Sequence, residues 1–264
     1  MNEQNMKKSL SSMYHRFLKR GIAGITSSSR VLPDFIIIGT VRSGSTSLYY
    51  NICEHPSILP ASYDEIGFFD SNYHLGIDWY RSMFPRQKKM KKTKKETGYA
   101  LTGEDTPFYF WKREVAERIL EILPNVKIIA IFRNPIDRAY SNYNLGLRKN
   151  TEKLTFEEAI DEEIEFLEKH SFRECVDRRR SYLSKGLYEK QVKVWFELFD
   201  TSQIHILSTD QMQKNPQKEL QKIFSFLEIS DYAIKNPQKQ KSAEYSKMRS
   251  DTRRKLLDFY KPHN

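Results

Sequence analysis

An apolar run followed by a glycine-rich loop and a helix start constrains the fold of this chain more than any other feature. The run at 34–38 lies between Pro33 and Gly39 and predicts a buried parallel strand. The loop GTVRSGST follows at 39–46, and hydroxyl side chains at the start of 45–52 predict a helix. This order of strand, loop and helix is typical of α/β folds, whose ligands bind at the carboxyl ends of parallel strands.

Two further apolar runs, at 126–132 and 203–208, predict strands. Helical patterns accompany them over about 136–147, 187–199 and 217–227. Alternating strands and helices predict a single α/β domain over 31–264, with a central, mainly parallel sheet flanked by helices. With 264 residues and 39% hydrophobic content, the chain is long enough to bury a sizeable core.

The composition indicates which kinds of partner the protein binds and in which compartment it is expected. A formal net charge of +10 favours anionic partners such as nucleotides, sulfated molecules, nucleic acid or an anionic membrane. Cys53 and Cys175 are too few for a disulfide framework or a cysteine-rich metal site, so we expect a reducing, cytoplasmic location. Residues 1–30 contain no apolar run of about 7 to 15 residues. They predict a basic, loosely ordered segment without signal peptide or membrane anchor, with peripheral membrane contact as the alternative.

Two charged segments are interpreted as surface features. Residues 86–95, RQKKMKKTKK, carry seven cations in ten positions and predict a solvated, mobile loop, with binding of an acidic substrate as the alternative. The acidic stretch 155–169 predicts a surface helix. Its apolar residues at helical spacing form one buried stripe of Phe156, Ala159, Ile160, Ile164 and Leu167.

The glycine loop is equipped to hold an anion. A loop between a strand end and a helix N-terminus directs several backbone N–H groups at one point, where the helix dipole adds partial positive charge. Arg42 adds a cation with bidentate donors, and hydroxyl donors are supplied by Ser43, Ser45, Thr46 and Ser47. Phosphate or sulfate is therefore the expected guest, although such turns also occur as plain connections.

Two departures separate this loop from that of nucleoside triphosphate-binding proteins. Its spacing matches G-x-x-x-x-G-K-[ST], but Ser45 stands where the phosphate-binding lysine is expected. The strand at 126–132 ends at Arg133 instead of at an aspartate that would hold Mg²⁺. The sequence therefore predicts a group transfer that needs no metal.

Taken together, these motifs resemble those of the sulfotransferases that use 3′-phosphoadenosine 5′-phosphosulfate (PAPS), and most closely their heparan-sulfate and carbohydrate branch. The loop RSGST at 42–46 is similar to the family's 5′-phosphosulfate loop, and FRNPIDRAYS at 132–141 is similar to its 3′-phosphate motif. The similarity extends over most of the chain, through segments at 65–85, 103–110, 182–188 and 256–264. The resemblance implies PAPS as co-substrate and no metal.

The resemblance also implies a set of nucleotide-binding residues. The 5′ end of PAPS would be bound by Arg42, Ser43, Gly44, Ser45, Thr46 and Ser47. The 3′-phosphate would be bound by Arg133 and Ser141, and a loop containing Lys241 would close over the nucleotide. Arg42 would also stabilise the charge that builds on the leaving 5′-phosphate.

Glu65 is the implied general base, because an acceptor hydroxyl needs a group to take its proton before it can attack. Aromatic residues in 63–69 are expected to desolvate Glu65 and make it a stronger base. Read without the resemblance, a lone glutamate is a solvated surface residue. His55 and His74 are the rival bases.

The acceptor side departs from the family pattern. We assign Phe68 and Asp105 to this side, and Asp105 stands where the heparan-sulfate enzymes have a lysine. Gly67 stands where relatives often have a histidine. Both changes argue against a heparan-like polyanion as the acceptor. A hydroxyl on a saccharide is still the expected target, followed by a lipid-linked sugar, a small alcohol, a phenol or an amine.

Two other classes of protein are alternatives to a sulfotransferase. A small-molecule kinase would share the loop spacing, but it would use Mg²⁺ and a triphosphate. A nucleic-acid-binding protein would explain the positive charge, but the basic residues lack interleaved aromatic residues or a recognisable reading module. We therefore expect no nucleic-acid partner.

Overall fold

The computed structural model describes residues 26–235 and 245–263. Its strands are β1 Phe35–Gly39, β2 Ile58–Pro60, β3 Leu101–Asp105, β4 Lys127–Phe132 and β5 Ile204–Ser208. Its α-helices are α1 Ser45–Cys53, α2 Ile77–Arg81, α3 Gln87–Thr97, α4 Arg113–Ile122, α5 Pro135–Arg148, α6 Phe156–Lys169, α7 Phe172–Asp177, α8 Tyr188–Leu198, α9 Thr209–Lys214, α10 Pro216–Phe226 and α11 Ser250–Tyr260.

The strands form one sheet in the order β2-β3-β1-β4-β5, and every pairing is parallel. This confirms the predicted α/β fold with a parallel central sheet. β1 lies in the middle, and all five of its residues are buried. The glycine loop that follows β1 therefore emerges at the centre of the carboxyl edge of the sheet.

Both faces of the sheet are covered, because successive side chains of a strand point to opposite faces. Ile36 and Ile38 of β1 pack on the side of α2, α4 and α8. Phe35 and Ile37 pack on the side of α1 and α10. A third apolar cluster joins α5, α6 and α11 beyond the sheet. The sheet thus provides a rigid base on which loops at its carboxyl edge are positioned.

The strands predicted at 34–38, 126–132 and 203–208 agree with β1, β4 and β5 to within one residue at each end. The predicted helix at 155–169 is also confirmed, and Thr155 and Glu158 form a capping box at its start. Glu163 on its buried side accepts hydrogen bonds from the backbone N–H groups of 182–184. α6 thereby holds the segment that leads into α8.

The lysine-rich segment 86–95 is a helix, so its prediction as a mobile loop is wrong. α3 begins at Gln87 and ends at Thr97, and the following Gly98 caps it in a left-handed conformation with φ 84°. Lysine, glutamine and methionine favour helices, and Thr93 anchors the helix by burying its side chain. The lysines of α3 are all exposed.

The N-terminal prediction falls mostly outside the described residues, which include only 26–30 of the segment 1–30. There, Arg30 donates a hydrogen bond to the Phe84 carbonyl at 2.6 Å. In the described part of the chain, no helix is both long enough and apolar enough to span a membrane.

Candidate active site

The glycine loop joins β1 to α1 through two positions that require glycine. A Cβ on Gly39 would lie 2.9 Å from the Phe110 Cβ and 3.0 Å from the Pro107 carbonyl oxygen. Gly44 caps the helix at φ 97°, in the left-handed region. The first N–H groups of α1 have no carbonyl partner within the helix, so they are available to an anion.

The hydroxyl groups of the loop divide into two sets. Ser43 is buried, and its Oγ lies 2.5 Å from the Thr40 Oγ1. The Ser43 carbonyl accepts a hydrogen bond from Thr209 at 2.7 Å, so this residue fixes the loop from within. Ser45 is buried in the first turn of α1, whereas Thr46 and Ser47 are half-buried. Thr46 and Ser47 are thus the more accessible hydroxyl groups of the set.

Arg42, Arg133 and Ser141 meet at one point beside the loop. The Arg42 Nε donates to the Ser141 Oγ at 3.1 Å, and the Arg133 Nη1 donates to the Arg42 carbonyl at 3.2 Å. Arg133 follows β4, and Ser141 is buried in the second turn of α5. The Asn134 side chain caps α5 and fixes its start relative to β4.

This cluster is strongly positive. Burial, followed by the guanidinium groups of Arg148 and Arg133, lowers the pKa of Arg42. Cations crowd together in this way at sites that bind anions, because a bound anion relieves their repulsion. Because Arg42 donates to Ser141, its side chain points to the predicted 3′-phosphate site, whereas we predicted it at the 5′ end of the nucleotide.

Two cavities flank Arg133. One, of about 300 Å³, is lined by three cations, two tyrosines and one carboxylate together with a serine and a methionine, namely Arg133, Lys247, Arg253, Tyr140, Tyr245, Asp137, Ser246 and Met248. The other, of about 580 Å³, lies at the ends of β4 and β5, with Phe132, Tyr188 and Leu257 in its wall. A nucleotide held by Arg133 thus has room on either side. Lys247 was not among the predicted site residues, and Lys241, which was, lies outside the described residues.

Glu65 lies at the same edge of the sheet, on the other side of the loop. Its backbone N–H donates to the Asp105 carbonyl at 3.0 Å, which places it at the end of β3. Its φ is 49°, an uncommon value for a residue with a side chain. The Glu65 side chain is exposed, so the prediction that aromatic neighbours desolvate it is wrong.

Phe68, which we assigned to the acceptor side, is buried in the core, and its role in binding an acceptor stays a prediction. Its side chain is 1% exposed and stacks on the Tyr80 ring with centroids 4.4 Å apart. It also packs edge-on against Phe69. The aromatic residues of this segment therefore build the core beneath the site, where an apolar ring is stabilised by burial.

Asp105 is buried at the end of β3, and neither of its carboxylate oxygens has a hydrogen-bond partner. β3 pairs with β1 on the side away from β4, with Ile37 opposite Asp105. The loop after β1 therefore has an acid-ended strand, β3, on one side and the Arg133-ended strand β4 on the other. Among the described residues, no group of three or more His, Cys, Asp or Glu side chains is arranged to hold a metal ion.

His55 has no free ring nitrogen, so it is removed from the rival bases. Its Nδ1 accepts from the Ser57 N–H and its Nε2 lies 3.0 Å from the Ser230 carbonyl. The ring also packs against Phe224 and Tyr232. His74 lies exposed in the short turn Tyr73–Leu75 and stays the rival to Glu65.

The position of α3 predicts that its lysines do not bind the nucleotide. The last turn of α3 contacts the start of β2, where the Ser57 Oγ donates to the Thr97 Oγ1 at 3.0 Å. This is the amino edge of the sheet, opposite the glycine loop. Changing Lys88, Lys89, Lys91 and Lys92 to glutamine is therefore expected to leave the affinity for 3′-phosphoadenosine 5′-phosphate (PAP) unchanged in calorimetry. A large loss of affinity would contradict this placement.

Comparisons with known proteins identify the family of this chain. The sequence model of a family described as "Sulfotransferase domain" matches residues 32–258. The chain is 26% identical to the membrane-associated sulfotransferase kil1 of Dictyostelium discoideum, over 88% of this chain and 64% of that protein. It is 33% identical to the mouse heparan sulfate glucosamine 3-O-sulfotransferase 5, over 75% of this chain and 54% of that protein. The chain thus spans less than two thirds of these relatives.

One solved structure supports the fold. A sulfotransferase from Alicyclobacillus acidocaldarius aligns with a TM-score of 0.67 at 24% identity, covering 88% of this chain and 93% of that one. At this identity the likeness speaks for the fold alone. The family match, in contrast, extends over most of the chain and includes the glycine loop, the Arg133–Ser141 motif and Glu65. The chain belongs to the sulfotransferase domain family.

Proposed function

We propose that this protein transfers the sulfuryl group of PAPS to a hydroxyl group of a saccharide. The observation that carries the proposal is the meeting of Arg42, Arg133 and Ser141 beside the N-terminus of α1. This arrangement offers two anion sites at one sheet edge, as a nucleotide with phosphates at both its 3′ and 5′ positions requires.

The residues divide the work of the reaction. PAPS supplies the sulfuryl group, and negative charge builds on its 5′-phosphate as the group leaves. The N–H groups of α1, with Thr46 and Ser47, are placed to bind that charge, and a preorganised donor of this kind is typically worth about 3 kcal/mol. Arg133 and Ser141 bind the 3′-phosphate and orient the nucleotide. Glu65 takes the proton of the acceptor hydroxyl.

A saccharide acceptor is proposed by analogy with the relatives named for heparan sulfate glucosamine. The exposed position of Glu65 supports an acceptor that approaches from solvent. Incubating the protein with labelled PAPS and separate pools of sugars, lipids and phenols would identify the class. Transfer to the lipid or phenol pool alone would contradict the saccharide assignment. The cytoplasmic location stays a prediction from the cysteine content.

Binding of PAP without metal is the first test. Calorimetry in EDTA is expected to show saturable binding of one PAP per chain. A magnesium-dependent kinase is the second candidate, because Asp105 ends a strand beside the loop, where kinases hold Mg²⁺. A thermal-shift assay distinguishes a sulfotransferase from a kinase. Stabilisation by PAP in EDTA supports a sulfotransferase, whereas stabilisation only by Mg²⁺-ATP would overturn the proposed sulfuryl transfer.

A further inference from the structure

Asp105 lies directly beneath the part of the glycine loop that lacks a lysine. Along β3, Glu104 points to the face of Tyr80 and Tyr109, from which its carboxylate accepts hydrogen bonds. Successive strand residues alternate, so Asp105 points to the opposite face, where α1 begins at Ser45. Its side chain is 1% exposed, and both carboxylate oxygens lack hydrogen-bond partners.

The two neighbouring carboxyl groups of β3 differ in their surroundings. Glu104 receives hydrogen bonds from Tyr80 at 2.6 Å and from Thr106 at 2.7 Å, so it is satisfied within the core. Asp105 has only the Ser45 hydroxyl beside it, and neither of its oxygens receives a hydrogen bond of ordinary length and angle. A buried polar group without a partner is costly, and it persists chiefly where a ligand, an ion or a proton satisfies it.

The charged groups around Asp105 are acidic. They are Glu65 and Asp64 in the loop before α2 and Glu104 on its own strand. From α1, the Tyr50 hydroxyl donates a hydrogen bond to Asp64. The Cys53 thiol, also on α1, lies near the carboxylates of Asp64 and Asp105. In the part of the chain that the structure describes, no Lys or Arg forms an ion pair with Asp105. Burial, followed by Glu65, raises the pKa of Asp105 to about 7, although the Ser45 hydroxyl opposes the shift.

We propose that Asp105 binds the nucleotide as the neutral acid, taking up a proton when the nucleotide arrives and donating a hydrogen bond to its 5′ end beside Ser45. The inference rests on the proposed function, because it needs a nucleotide at the N-terminus of α1. The proton comes from solvent and returns to it on release, so no covalent bond is made or broken.

The physical reason is the position of two like charges. An anion at the first turn of α1 would repel an ionised Asp105, and that repulsion favours the protonated carboxyl. A protonated carboxyl carries one O–H donor. The protonated Asp105 would thereby supply the hydrogen bond that a lysine supplies in phosphate-binding loops that have lysine where this chain has Ser45. The proton also removes negative charge from the site where an anionic group is transferred.

Calorimetry of PAP binding, in buffers of different ionisation enthalpy, measures the protons exchanged. At pH 7.5 we expect the wild type to take up roughly 0.7 proton per PAP more than Asp105→Asn, because a group with a pKa near 7 is then mostly ionised in the free protein. Above that pH, PAP affinity is expected to fall up to about tenfold per pH unit in the wild type. In Asp105→Asn this fall disappears. Protons exchanged by the phosphates of PAP itself are common to both proteins and cancel.

Two variants serve as matched controls. Glu104→Gln changes the adjacent buried carboxyl, whose pKa is also raised to about 7 by burial, but which faces the other side of β3. Glu65→Gln removes the exposed carboxylate whose charge helps to raise the pKa of Asp105, so it is expected to shift the proton uptake to lower pH without abolishing it. Glu104→Gln is expected to keep the proton uptake. Infrared difference spectra of the wild type provide a readout without mutation: PAP is expected to increase the C=O band of protonated carboxyl groups.

The outcomes separate this inference from the proposed function. If the wild type does not bind PAP, the proposed function fails. If PAP binds and the wild type and Asp105→Asn exchange the same number of protons, the inference alone is overturned. Loss of uptake in Glu104→Gln with retention in Asp105→Asn would move the proton to Glu104 and also overturn it. Should Asp105→Asn fail to fold, an unchanged infrared band on PAP binding would reject the inference.

Discussion

Replacing Glu65 with glutamine is expected to lower kcat by roughly a hundredfold or more while the affinity for PAP stays the same. Glutamine keeps the shape of the side chain and the backbone N–H bond to the Asp105 carbonyl, but it cannot accept a proton. Among the described residues, Glu65 forms no hydrogen bond or ion pair with Arg42, Arg133 or Ser141, so binding and chemistry should separate. Transfer of label from PAPS to a saccharide acceptor measures kcat, and calorimetry measures PAP affinity.

Asp64→Asn provides a matched control for Glu65→Gln. Asp64 is the adjacent carboxylate and is also exposed, but the Tyr50 hydroxyl already donates to it. This variant is expected to keep most of the turnover. If Glu65→Gln retains near-normal turnover, the role of base passes to His74, and the assignment of Glu65 fails while the nucleotide site stands.

Replacing Arg133 with alanine is expected to weaken PAP binding by roughly ten- to a hundredfold, the range for hydrogen bonds that involve a charged group. Adenosine 5′-phosphosulfate lacks the 3′-phosphate, so its weaker binding should hardly change. The difference between the two ligands, measured by calorimetry on the same variant, isolates the 3′-phosphate contact. Equal losses for both ligands would remove the assignment of Arg133.

Arg253→Ala is the control for charge alone. Arg253 lines the same cavity as Arg133, but its guanidinium is paired with Asp137. Removing it takes one positive charge from the wall of the cavity and leaves the Asp137 carboxylate, which lines the same cavity, without this partner. Its effect on PAP is expected to be small and to shrink with added salt, because a partly exposed charge is screened. A loss as large as that of Arg133→Ala would point to nonspecific attraction.

Local patterns in the sequence determined the central strand, the glycine loop and the helices that follow it. An apolar run such as 126–132 can hardly be anything except a buried strand or helix, and Arg133 with Pro135 ends it. Arg133 and Ser141 are close in sequence on a strand end and the next helix, so their shared direction follows from helix geometry. These features were predictable because each depends on residues within about one element of one another.

Segments with mixed or strongly charged composition were not predictable from pattern alone. α3 was missed because a run of lysines signals solvent exposure in a loop and in a helix equally, and the run does not show that Thr93 is buried. The burial of Phe68 was not foreseen, because a pair of adjacent aromatic residues does not reveal which ring faces the core. In the structure Tyr80 covers that ring.

The tertiary structure alone decided which chemical groups share the carboxyl edge of the sheet. β3 pairs with β1 although 68 residues separate Ile37 from Asp105, and this pairing brings a buried, unpartnered carboxyl beneath α1. The Arg42 side chain reaches Ser141, 99 residues away, instead of the loop that carries it. The sequence determined which side chains the chain possesses and which elements carry them. Non-local strand pairing and burial determined which of them meet, because those energies depend on neighbours that no local pattern specifies.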